Sequence, residues 1–151
     1  MKFIIYPRRE IETVKPHEER HLIISIRTPG DPKEAKLPIN ERTMGVLRLL
    51  FDDIPDVPEG VEEELVKQQR DLGGRDLLFF DKVMAREIFD FVRPHKETVG
   101  TIIVHCDAGV SRSPAVAAGI AKMVFEQNDM VFFDEYYPNS RVYRILTADE
   151  T

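Results

Sequence analysis

Apolar positions fall into short runs and periodic stretches that alternate along the chain, and no segment repeats another. Phe3, Ile4, Ile5 and Tyr6 form a run that predicts a short strand, stopped by Pro7. Arg8 to Val14 has room for one or two helical turns. His21 to Ile26 (HLIISI) is compact and Ile-rich, the pattern of a buried strand, and Thr28, Pro29, Gly30, Asp31 and Pro32 predict a loop after it. Met44 to Phe51 predicts the next strand. Pro55, Pro58 and Gly60 make Asp52 to Gly60 a loop, and the charged segment up to Gly74 accommodates a short helix. From Leu77 to Val92, Phe80, Val83, Met84, Ile88, Phe91 and Val92 recur at helical spacing, and Pro94 marks the end. Thr101 to Val104 predicts a β-branched strand. Pro114 to Phe125 predicts a helix dense in small apolar residues. Asn139 and Ser140 are placed to cap a last short helix through Leu146.

Strands alternating with helices imply an α/β fold, a central mostly parallel sheet of about four or five strands flanked by helices. A chain of 151 residues suits a single domain over 1–151. In such sheets, sites form beyond the carboxyl ends of the strands. The loops after Ile26, Phe51 and His105 are therefore expected to converge on one edge.

Composition narrows the function. Against 27 Asp and Glu stand 21 Lys and Arg, a net charge of -6. That balance opposes a dedicated nucleic-acid binder, which needs basic surface for phosphates. No run is long enough for a signal-peptide core or a spanning helix, so a cytoplasmic protein with no membrane partner is expected, as a monomer. The acidic run Asp52 to Glu64 lacks the spaced Asp and Gly pattern of a calcium loop. His17, His21 and His95 have no second ligand at metal spacing, so no metal and no cofactor is expected. Tyr136, Tyr137 and Tyr143 are expected to pack the C-terminal segment. The single cysteine, Cys106, excludes an internal disulfide and leaves two readings, a buried packing residue or a reactive thiol.

The stretch His105 to Ala115, HCDAGVSRSPA, favours the reactive thiol. A buried strand delivers Cys106 to the sheet edge, and a tight loop runs into a helix opened by Pro114, a residue suited to a first helical turn. Such a loop can turn its N–H groups inward around an anion, with the helix dipole behind them. Gly109 would relieve the backbone where so tight a loop calls for positive φ. Arg112 can close the cradle with a bidentate grip on phosphate oxygens. A thiolate on the floor of such a cradle implies covalent phosphoryl transfer to sulfur.

HCDAGVSRSPA resembles the signature loop of cysteine-dependent protein tyrosine phosphatases, Cys-x5-Arg-Ser, and is most similar to the dual-specificity group. The resemblance is firm over Thr101 to Phe125 and looser elsewhere. It implies a tyrosine phosphatase-like fold with the phosphate loop between a strand and a helix N-terminus. It also implies a hydrolase acting on phosphotyrosine, and on phosphoserine or phosphothreonine, in a phosphorylated protein or peptide. Cys106 would form the phosphocysteine, and Arg112 would bind phosphate and stabilise the transition state. The N–H groups of Asp107, Ala108, Gly109, Val110, Ser111 and Arg112 would line the cradle. Ser113 would hydrogen-bond the thiolate, and His105 would orient the loop and tune the thiol. The family's general acid is an aspartate on a separate loop. Asp53 fits by position, with Asp52, Asp56 and Asp76 as alternatives; Asp76 has the more usual spacing from the cysteine but follows no strand. Asp107, in a loop with no Lys, opposes polyphosphorylated lipids. Two rival functions share the motif: a non-catalytic phosphate-binding module, and a phosphatase for nucleotides or RNA ends.

Overall fold

The computed structural model describes residues 1–148, and the last three residues of the expected 1–151 domain lie outside the described residues. The chain runs β1 (Lys2–Pro7), α1 (Arg8–Ile11), β2 (His21–Arg27), β3 (Thr43–Leu50), α2 (Val61–Asp71) and α3 (Lys82–Val92). A 3-10 turn at Arg93–His95 precedes β4 (Thr101–Cys106), α4 (Arg112–Phe125), α5 (Met130–Glu135) and α6 (Ser140–Thr147). Four strands make one sheet in the order β1-β4-β2-β3. Every pairing is parallel. The expected α/β architecture is thus present, with the lower of the two strand counts.

Both faces of the sheet are covered, which explains why β2 and β4 read as continuous apolar runs rather than alternating ones. Leu22, Ile24, Ile26, Ile102 and Val104 face a core built with α3, α4 and α6. Ile23 and Ile103 point the other way, onto Ile11 of α1 with Leu37 and Val46 around them. The small residues of α4 let it lie close to its neighbours. At Gly119 an added Cβ would come within 2.7 Å of Leu146 in α6.

Two expectations about elements need correction. The helix expected from Leu77 begins at Lys82. Residues 77–81 stay outside the helix, where Asp52 N–H donates to the Leu78 carbonyl (2.7 Å) while the Asp52 carboxylate accepts from Leu78 N–H (2.8 Å). Asp81 then caps α3, accepting from Met84 N–H at 2.9 Å. The periodicity from Leu77 arises because Phe80, outside the helix, is buried edge-to-face on Phe51, with ring centroids 5.0 Å apart. The second correction is Tyr137, expected to pack and found 83% exposed. Tyr143 does pack, edge-to-face on Phe133 with centroids 5.0 Å apart.

Candidate active site

All four strands deliver their carboxyl ends to one place. At the end of β1, Arg8 N–H donates to the Asp107 carbonyl (3.0 Å). After β2, Thr28 Oγ1 donates to the Asp107 carboxylate. After β3, the Phe51 carbonyl accepts from Arg112 Nη1 (2.8 Å). β4 ends on Cys106 itself, which is buried. The three loops expected at this edge converge there, and the end of β1 joins them.

The loop from Cys106 to Arg112 folds back over the sulfur. Gly109 N–H donates to Cys106 Sγ at 3.3 Å, and the Ser113 hydroxyl lies 3.1 Å from it. Gly109 has φ +70°, and a Cβ there would sit 2.7 Å from the Pro7 nitrogen, so glycine is required twice over. Ser111 stands at the N-cap of α4 yet does not cap it. Its hydroxyl donates instead to Asp53 Oδ1 at 2.8 Å. The first N–H groups of α4 therefore receive no side-chain oxygen, which suits an anion.

Arg112 is buried and fixed, with Nη1 on the Phe51 carbonyl and Nη2 3.2 Å from Asp107 Oδ2. Burial works against the Asp107 charge, but Thr28 and Arg112 more than offset it and hold that carboxyl below its ordinary range. His105 is buried, with Nε2 2.6 Å from the Ser25 hydroxyl and Nδ1 3.3 Å from the Cys106 carbonyl. Burial pushes its pKa below the usual histidine value. Ala108 borders a groove of about 470 Å³ with Pro7, Arg8, Arg9, Glu12 and Asp107. Val110 is exposed, and its carbonyl accepts from Tyr137 N–H at 3.0 Å.

The four candidate aspartates have different surroundings. Asp53 Oδ1 touches the loop after Cys106 through Ser111 and also accepts from Asn139 Nδ2 at 2.8 Å. Asp52 is buried and gripped by Arg75 through two bonds of 3.0 and 2.6 Å. Burial alone would raise its pKa, but Arg75 and Leu78 N–H bring it below the carboxylate norm. Asp56 is paired with Arg144. Asp76 is exposed and lies 3.5 Å from Arg70. Asp53 is thus the candidate acid joined directly to the Cys106 loop.

Two residues outside the expected set belong to this cluster. Ser25 faces His105 because the β2–β4 register pairs them. Asn139 is buried and ties three elements together. Its N–H donates to the Ser111 carbonyl (3.0 Å), its Nδ2 to Asp53, and its Oδ1 accepts from Val142 N–H (3.0 Å) as the α6 cap. The sequence shows only the capping pattern. Among the described residues, no cluster of three or more His, Cys, Asp or Glu is placed for a metal. Among those residues, no helix is long and apolar enough to cross a membrane.

Neither a protein-family model nor a curated protein matches the chain. Solved structures do. The chain is similar to the human tyrosine phosphatase-like serine/threonine/tyrosine-interacting protein at 19% identity and TM-score 0.50, over 95% of this chain and 87% of that one. It is also similar to human DUSP28 (14% identity, TM-score 0.48, 95% and 87% covered). DUSP15 matches at 18% identity and TM-score 0.46, with 85% and 68% covered. At these identities the likeness speaks for the fold. The parallel sheet and its helices, with the buried cysteine at the β4 edge, follow the tyrosine phosphatase-like fold of the first of these structures.

Proposed function

We propose that the protein is a cysteine-dependent phosphatase that hydrolyses phosphomonoesters in two steps, with phosphotyrosine in proteins as the main substrate class. Phosphoserine and phosphothreonine are further substrates. The observation that carries this reading is the set of groups around one sulfur. Ser113 and the Gly109 N–H bond Cys106 Sγ, Arg112 at the end of the same loop is fixed on the Phe51 carbonyl, and Asp53 is tied to that loop.

In the first step the Cys106 thiolate attacks phosphorus. The P–S bond forms as the ester P–O bond breaks, and the leaving oxygen takes a proton from Asp53. Arg112 and the loop N–H groups of residues 107–112 stabilise the charge on the equatorial oxygens. In the second step water attacks phosphorus, Asp53 takes its proton, the P–S bond breaks, and Ser113 supports the departing thiolate. Phosphate leaves, and no metal takes part.

The test is turnover of p-nitrophenyl phosphate in excess EDTA. Metal-independent turnover that Cys106→Ser abolishes is the expected result; turnover that needs metal or survives the substitution overturns it. A second reading is a non-catalytic phosphate-binding module, and one similar solved structure is named as a tyrosine phosphatase-like interacting protein. Phosphopeptide binding with no turnover would select that second reading. Faster turnover of nucleotides than of phosphopeptides would reassign the substrate.

A further inference from the structure

The loop from Asp52 to Gly60 has little backbone to hold it. Pro55 and Pro58 lack N–H groups, and internal bonds are few, such as Ile54 N–H to the Asp52 carbonyl. The loop is fastened by side chains on either side of Asp53. Upstream, Asp52 is held by Arg75 and the Leu78 N–H. Downstream the fastening comes from the start of α6. Ser140 Oγ accepts from Asp56 N–H at 2.9 Å. Arg144 grips the Asp56 carboxylate with two bonds, Nε to Oδ2 at 2.8 Å and Nη2 to Oδ1 at 2.9 Å. Arg141 of the same helix reaches Glu62 at 3.0 Å. The opposite side of α6, through Val142 and Leu146, is buried in the core with α4. A helix fixed on the core thus presents a row of groups to the loop that carries Asp53.

We propose that Arg144 is a positioning residue for Asp53: through its two-point grip on Asp56 it holds the loop with Asp53 turned toward the Cys106 pocket. The inference rests on the reading of Asp53 as general acid. Asp56 is then the downstream clamp and not a second acid. Its carboxyl is held below the ordinary range by the Arg144 hydrogen bonds, which keeps the clamp charged at neutral pH. The Arg144 side chain is 58% exposed and that of Asp56 37%, so the pair is not part of the core and its loss leaves the fold intact.

The test separates positioning from general damage by the leaving group. p-Nitrophenolate departs with little need of a proton, whereas phenolate from phenyl phosphate needs the acid. Loosening the loop therefore costs kcat/KM on phenyl phosphate and spares p-nitrophenyl phosphate. For Arg144→Gln the expected fall in the phenyl to p-nitrophenyl ratio is about two- to fivefold, the range of an exposed ion pair. Arg144→Lys keeps the charge and one donor and restores part of it. Hydrogen exchange at the Asp56 amide, bonded to Ser140, is expected to quicken in Arg144→Gln whatever the activity. Unchanged exchange, or equal losses on both substrates, overturns the inference. A ratio moved by Asp53→Ala and not by Arg144→Gln overturns it alone. A ratio unmoved by Asp53→Ala overturns the acid reading, and this inference with it.

Discussion

Asp52, Asp53 and Asp56 share one loop and have three different surroundings, so substitution should separate them by kind of effect. Asp53 accepts hydrogen bonds from the hydroxyl of Ser111 and the amide of Asn139, both of which Asn at position 53 can still satisfy. Asp53→Asn should therefore fold normally and lose about 10²- to 10⁴-fold in kcat/KM on phenyl phosphate, the usual worth of a general acid. Asp52 is buried and bonded to Arg75 and to a backbone N–H. Asp52→Ala should cost about 1–3 kcal/mol in denaturant unfolding, because those donors lose a charged acceptor. A large rate loss in Asp52→Ala at full stability would reverse the assignment. The motif around Cys106 was legible in the sequence because its parts are adjacent. The choice among the aspartates was not, because the contact that singles out Asp53 comes from Ser111, 58 positions away. Ser25 was hidden for a related reason. A serine within a strand becomes informative only when register sets it opposite His105.

At the scale of elements, α4 links the core to the site, since its first residue is Arg112 and its middle rests on α6. Gly119 is the contact point. An alanine there gains about 1 kcal/mol of helix propensity. It also places a methyl 2.7 Å from both Cβ and Cδ1 of Leu146, and overpacking of this kind costs typically about 1–3 kcal/mol. The balance predicts net destabilisation, seen as a lower denaturant midpoint in Gly119→Ala. Because α6 starts at the Asn139 cap that holds Asp53, the same variant should lose activity while the loop residues stay unaltered. A more stable Gly119→Ala with full activity would show that α6 shifts freely. The strands and α4 were readable because burial on both faces leaves compact apolar runs. Residues 77–81 were misassigned because the buried Phe80 continues the helical spacing, while its backbone neighbours bond to Asp52. The short α5, Met130–Glu135, carried no usable signal: one of its residues, Phe132, is buried, too few for a period.

For the molecule as a whole, the charge of -6 means that the proposed function needs its phosphate affinity to come from one loop and one arginine. It also shapes the response to acid. Burial of His105 and of His17 favours their neutral forms when folded. The unfolded chain then binds protons at about pH 6.5, where the folded chain does not. Stability from these groups is complete above that pH and declines as pH falls toward their depressed folded values. Asp52, Asp56 and Asp107 add a second step with the same direction at lower pH. Their pKa values are depressed by Arg75, Arg144 and the Thr28–Arg112 pair, so their contribution is present above about pH 4 and is lost below it. The denaturant midpoint should therefore fall in two stages on acidification, first below about pH 6.5 and again below about pH 4. Replacing His105 by Gln removes the more deeply buried of these two imidazoles and should flatten the first stage while leaving the second. An unfolding midpoint in His105→Gln that falls between pH 7 and pH 5 as steeply as in the parent would assign that stage to another group. Such a result would separate the acid response of the fold from the histidine that adjoins the thiol.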